Sequence, residues 1–125
     1  MSKYYGGNET RGIFENITID NVYASFSKGT VDVPGNFTQF IEIGSDLDIS
    51  NLTINKLVRN ESVYFNTTIN VAGNTSIDNL LISDCVQTCP EGQDMKFFNC
   101  DGTIKSGKIQ NISVNGTAYP DKTFD

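Results

Sequence analysis

Histidine is absent from all 125 residues of this chain, and the absence removes a large share of enzyme chemistry. Imidazole is the one side chain whose ordinary pKa puts its charge change near neutrality, so no His-assisted hydrolytic site can be assembled. A structural zinc site wants four ligands, and three cysteines are all that is on offer. Cations are scarce as well. Nine Lys and Arg against fifteen Asp and Glu leave a net charge of −6. A nucleic-acid surface must be met by Lys and Arg, so that partner class is excluded. No apolar run reaches the roughly 18 residues that would suggest a membrane span. Met1-Ser2-Lys3-Tyr4-Tyr5-Gly6 lacks the apolar core of a signal peptide. No window holds a helical period, so no helix longer than about two turns is expected.

What the chain does have is a recurring phrase of Asn, aliphatic, variable, aliphatic. It reads Asn16-Ile17-Thr18-Ile19, Asn51-Leu52-Thr53-Ile54, Asn79-Leu80-Leu81-Ile82 and Asn111-Ile112-Ser113-Val114, at separations of 35, 28 and 32 residues. Repeats of that length mark solenoids, whose units bury their apolar faces only by stacking on neighbours. Apolar residues at period two make the phrase a strand. Strands recurring once per turn predict an all-β parallel β-helix of about four coils. The expected sheet sets residues 16–20, 51–55, 79–83 and 111–115 side by side. Ile17, Leu52, Leu80 and Ile112 form one inner file; Ile19, Ile54, Ile82 and Val114 form the next. The competing architecture is an antiparallel β-sandwich with Asn-rich turns.

Two positions past the second aliphatic stand Asn21, Lys56, Asp84 and Gly116. Asn, Asp and Gly tolerate the left-handed backbone of a sharp turn; Lys56 departs from that pattern and implies strain or a different turn. Val22, Leu57 and Cys85 follow as inward residues. Asparagines at equivalent turn positions are expected to stack and bond through their side-chain amides. Further strands are predicted at Phe37–Ile43, Val63–Val71 and Met95–Phe98, each bounded by turn formers. Pro34-Gly35-Asn36 and Pro90-Glu91-Gly92 mark loops. The chain reads as one domain, with coils over 12–116 and a tail over 117–125 that could cover the last coil through Tyr119 and Phe124. The amino-terminal side, with Gly6-Gly7 and no amphipathic cap, reads as a cut edge.

Phe14-Glu15-Asn16-Ile17-Thr18-Ile19-Asp20-Asn21-Val22 and Ile49-Ser50-Asn51-Leu52-Thr53-Ile54 resemble coils of the pectin-lyase-like superfamily, the right-handed β-helices of polygalacturonases, pectate lyases and viral tailspikes. The resemblance runs from about Gly12 to Gly116 and is one of scaffold. It implies a right-handed, single-stranded helix. Of the polygalacturonase motifs, Asn99-Cys100-Asp101-Gly102 is similar to Asn-Thr-Asp, with Cys100 in place of Thr. The chain has no Asp-Asp pair and no Gly-His-Gly. Neither Arg11 nor Arg59 is followed two residues later by Lys. Inverting hydrolysis needs one carboxyl as acid and a second as base, so Asn99–Gly102 reads as a turn.

The lyase reading would need calcium on clustered carboxylates. Asp46 and Asp48 leave one face of an extended strand, with Glu42 joining only if the chain does not turn at Gly44-Ser45. Calcium takes six to eight oxygens, and these residues fall short. No catalytic, cofactor or metal residues are therefore assigned.

Nine Asn-x-Ser/Thr sequons begin at Asn8, Asn16, Asn36, Asn51, Asn60, Asn66, Asn74, Asn111 and Asn115. Those at Asn16, Asn51 and Asn111 arise from the repeat and read as structural; Asn8, Asn36 and Asn60 read as open acceptors. Of the cysteines, Cys85 reads as a buried small hydrophobe. Cys89 and Cys100 flank a loop that a disulfide could bridge in an oxidising compartment.

The functional expectation is the C-terminal β-helix portion of an extracellular, polysaccharide-degrading, polygalacturonase-like protein whose catalytic coils lie outside this chain. The alternative is a non-catalytic glycan-binding or structural module of a tailspike or adhesin on a cell or virion surface. Expected partners are a polysaccharide or glycan, together with missing upstream coils or a second copy contacted through the exposed ends. An ice-binding face, which needs a regular Thr file, is broken by Leu81 and Ser113.

Overall fold

The alternation in the Asn phrases becomes extended backbone in the computed structural model, which describes residues 11–26, 37–61, 65–88 and 96–125. Its elements in chain order are β1 (Gly12–Phe26), β2 (Phe37–Ile43), β3 (Leu47–Glu61), β4 (Phe65–Val71) and β5 (Ser76–Thr88). They continue with β6 (Lys96–Cys100), β7 (Thr103–Val114), β8 (Thr117–Tyr119) and β9 (Lys122–Phe124). Among the described residues there is no helix, hence none long and apolar enough to cross a membrane. The protein is all-β, with long and short strands alternating.

Long strands form one parallel sheet in the order β1-β3-β5-β7, and short strands form a second in the order β2-β4-β6. Parallel pairing sets like positions of successive repeats over one another. Phe14 pairs with Ile49, and Ile49 with Ile77. Ile17, Leu52 and Leu80 follow in register, then Ile19, Ile54 and Ile82. Leu52, Ile54 and Ile82 are fully buried, each contributing about 1.5–3 kcal/mol relative to exposure. The second sheet adds Ile41, Ile43, Ile69 and Val71 to this core. Parallel neighbours exclude the antiparallel sandwich for these segments.

Each long strand bends at a residue of positive φ: Asn21 at 59°, Lys56 at 56°, Asp84 at 56° and Asn111 at 57°. Lys56 therefore shares the turn of its neighbours and bears the cost of about 1–2 kcal/mol that Cβ imposes on the left-handed region. Beyond the bend Val22 pairs with Leu57, and Leu57 and Cys85 are both buried as inward residues.

The fourth repeat differs from the sequence expectation. Asn79 pairs with Ser106, Leu80 with Gly107, and Ile82 with Ile109. Asn111 instead takes the bend position, while Ile112 lies beside Cys85 and Val114 beside Gln87. The segment at 111–115 is thus shifted past the bend, and Ile112 and Val114 do not extend the files of Leu80 and Ile82. Gly116 is likewise not the bend residue; at φ 79° it sits just before β8. The physical reason is Gly107. A Cβ there would lie 2.2 Å from the Leu80 carbonyl oxygen, so the inner file requires glycine where the repeat predicts an aliphatic.

The space beside Gly107 is used by the C-terminal residues. β8 and β9 pair antiparallel with β7, placing Tyr119 opposite Ile112 and Phe124 opposite Gly107. An aromatic ring set across from a strand glycine covers backbone that the glycine leaves bare. The Phe124 ring centroid is 6.2 Å from that of Phe98, and Tyr119 is 5.4 Å from Phe97.

Strand β2 coincides with the predicted 37–43 segment, and β4 and β6 overlap the predicted 63–71 and 95–98. The two proline loops, Pro34–Asn36 and Pro90–Gly92, lie outside the described residues.

Candidate functional site

Outward residues of the first strand segments build a groove of about 310 Å³ across the repeats, lined by Ile13, Asp48, Ser50, Ser76, Asp78 and Lys105. Asp48 lies between Ile13 and Ser76 in the register. Its carboxylate is held by the Arg11 fork: Nε donates to Oδ2 and Nη2 to Oδ1, each at 2.8 Å. The same Nη2 donates to the Leu47 carbonyl at 3.1 Å and to that of Asn74 at 2.9 Å, tying three turns of chain together. The hydrogen bonds that Arg11 donates to Asp48 raise the Arg11 pKa above its ordinary value. Across the groove Lys105 Nζ stands 3.1 Å from Asp78 Oδ1.

Each carboxylate is matched by a cation, and the serines add hydroxyls that both donate and accept. The Arg11 fork orients both Asp48 oxygens, which retain further acceptor capacity.

The acidic residues marked in the sequence are not brought together. Glu42 pairs with Asn70 in the second sheet. Asp46 lies in a bend at φ 62° and accepts a hydrogen bond from the Asn74 amide, so it does not share an extended face with Asp48. Among the described residues no three His, Cys, Asp or Glu side chains are grouped to hold a metal. The turn expected over Asn99–Gly102 is shorter than that: Asn99 and Cys100 still belong to β6, paired with Asn70 and Val71, and Asp101-Gly102 bends into β7, where a Cβ on Gly102 would lie 2.3 Å from the Thr75 carbonyl oxygen. Cys85 is buried and Cys100 half-buried, both as free thiols, with burial raising each pKa. Cys89 lies outside the described residues.

Asparagine ladders form on the phrase residues themselves rather than at the expected turn positions; at the bends Asn111 Nδ2 donates to Asp84 Oδ1 at 2.5 Å. Asn51 Nδ2 donates to Asn16 Oδ1 at 3.0 Å and Asn79 Nδ2 to Asn51 Oδ1 at 3.2 Å, with Ser106 Oγ closing the run on Asn79 at 2.5 Å. A second ladder runs from Ser83 through Asn55 to Asp20 at 2.9 and 3.2 Å. Thr18 and Thr53 stack, then Leu81 and Lys108 follow, so Lys108 holds the place expected of Ser113.

Sequence reasoning missed a buried polar group. Arg59 and Gln87 pair in an inner file, both almost wholly buried. Arg59 Nη1 donates to Thr68 Oγ1 at 2.5 Å, and the Thr68 hydroxyl donates to Gln87 Oε1. The signal was present: carrying the period of two past Leu57 and Cys85 puts Arg59 and Gln87 inside.

Comparison with protein-family models, with curated proteins and with solved structures returns no match.

Proposed function

We propose that the two sheets are walls of a right-handed parallel β-helix of the pectin-lyase type, and that this chain is a glycan-contacting portion of an extracellular carbohydrate-active protein that does not itself cleave the polymer. Handedness is supported by the general rule that parallel strands joined by a crossover are connected right-handed in about 98% of cases. The observation carrying the functional reading is the outer groove, where Asp48, Asp78, Ser50, Ser76 and Lys105 offer donors and acceptors on successive strands. Rows of that kind match the hydroxyls of a glycan laid across the strands. The net charge of −6 repels polyuronates, so a neutral polysaccharide is the favoured ligand class.

Calorimetric titration against neutral polysaccharides and polygalacturonate tests this, run beside reducing-sugar and unsaturated-product assays. Binding of a neutral polymer without turnover is expected, weakened about tenfold by Asp78→Ala through loss of one charge-assisted hydrogen bond. Absence of binding across the panel would remove the glycan reading. Turnover abolished by Asp101→Asn alone would restore a polygalacturonase-like activity in its place.

A further inference from the structure

The two edges of the long-strand sheet are treated differently. At β7 the antiparallel strands β8 and β9 cover the edge. At β1, among the described residues, β3 is the one partner. The inner file is half-open there. Phe14 is 37% and Val22 36% exposed, against 1% for their neighbours Ile49 and Leu57. On the outer face Ile13 is 78% and Tyr23 68% exposed.

These features are arranged symmetrically about Thr18. Pairing with β3 runs through Gly12–Phe14, Asn16–Asp20 and Val22–Phe26, with interruptions at Glu15 and Asn21, both three residues from Thr18. Ile13 and Tyr23 are each five residues from it, Phe14 and Val22 each four, Asn16 and Asp20 each two, and Ile17 and Ile19 each one. Ladder polarity follows the same symmetry. In every step across β1, β3 and β5 the later strand donates to the earlier one. Asn16 Nδ2 is thereby left as a donor at the open edge, whereas Asp20 presents carboxylate oxygens that only accept.

We infer that β1 is the interface of a two-fold homodimer, in which two copies pair their β1 strands antiparallel across an axis through Thr18. In that register Asn16 of one copy donates to Asp20 of the other, and Ile17 meets Ile19. Phe14 meets Val22 inside and Ile13 meets Tyr23 outside. The interruptions of the register at residues 15 and 21 coincide, so the paired segments meet segment for segment. No like charges face each other: Glu15 lies opposite Asn21. A two-fold contact must be self-complementary in this way. Antiparallel closure is the device the chain already uses at β7, and an unpaired edge is a template for it. The inner faces of the two copies then join into one apolar core. The interface shares Ile13 with the outer groove, whose polar members Asp48, Ser50, Ser76, Asp78 and Lys105 lie on β3, β5 and β7 away from the β1 edge.

Sedimentation velocity of the full chain over a wide concentration range provides the test, together with two variants at the axis. The parent is expected to be a dimer that dissociates on dilution. Thr18→Lys sets two ammonium groups against each other on the solvent face and is expected to weaken dimerisation at least about a hundredfold. The circular dichroism and dilute-solution thermal midpoint of that variant should match the parent. Directly opposed residues of antiparallel strands have Cα atoms about 4.5–5.5 Å apart, within the span a disulfide accepts. Thr18→Cys is therefore expected to cross-link on mild oxidation above the background of the native cysteines, while Lys105→Cys, remote from the axis, is not. A monomer at every concentration would overturn the inference, as would a dimer indifferent to Thr18→Lys, or open-ended assemblies formed by head-to-tail stacking.

Discussion

Inward and outward residues on β3 alternate one by one, so neighbouring substitutions should have very different costs. Ile54 is fully buried between Ile19 and Ile82, whereas Thr53 lies on the outer face between Thr18 and Leu81. Ile54→Ala is expected to cost roughly 2–5 kcal/mol and Thr53→Ala under about 0.5 kcal/mol, read as urea midpoints. Equal losses would mean that the faces are reversed. Two glycines give a second contrast. At Gly107, φ is 147° and Cβ would strike the Leu80 backbone at 2.2 Å; at Gly116, φ is 79° and nothing lies within 4 Å. Gly107→Ala should therefore cost about 3 kcal/mol, strain and overpacking together. Gly116→Ala should cost about 1 kcal/mol, from the left-handed backbone alone. Thermal unfolding of both variants checks the ordering.

At the scale of elements, the strands join through apolar files inside and amide ladders outside, and the polar group Arg59–Thr68–Gln87 interrupts the first of these. Its threonine hydroxyl sits between a guanidinium that donates and an amide oxygen that accepts. Thr68→Val removes that link from two buried partners and is expected to cost about 1–3 kcal/mol in urea denaturation. Adding Arg59→Met and Gln87→Leu should recover most of the loss, since apolar replacement of a whole buried polar group is often neutral or better. A triple variant weaker than Thr68→Val alone would show that the group contributes net stability. The first three repeats were legible in the sequence because Ile17, Leu52 and Leu80 keep both residue type and spacing to their bends. The fourth was not. Gly107 erased the aliphatic that marks the phrase, while Asn111-Ile112-Ser113-Val114 imitates it five residues later. Arg59 and Gln87 escaped notice because polar residues at inward positions read as surface unless the period is carried through the turn. The outer groove was illegible for another reason. Its members lie on four strands far apart in sequence, and only the register makes them neighbours.

For the molecule as a whole, the C-terminal strands act as a closure whose integrity depends on pH. Tyr119 is half-buried beside Phe97, and burial raises its pKa above the ordinary 10.0. Burial likewise raises Cys85 and Cys100 above the ordinary thiol value of 9.0. In all three cases the protonated form is neutral and the folded state holds its proton more tightly than the unfolded chain does. Their contribution to stability is thus complete below the unfolded pKa values and is lost as pH rises through the folded ones. Neutral and mildly acidic solutions leave these groups untouched. Above about pH 9 the thiols begin to favour unfolding, and above about pH 10 Tyr119 joins them. The urea midpoint should therefore fall in two overlapping stages on the alkaline side. Tyr119→Phe keeps the ring against Phe97 but removes the phenol, so its midpoint should decline less steeply above about pH 10 while matching the parent in the thiol range. Parallel curves for parent and variant throughout would show that the closing strand has already left Phe97 before the phenol ionises.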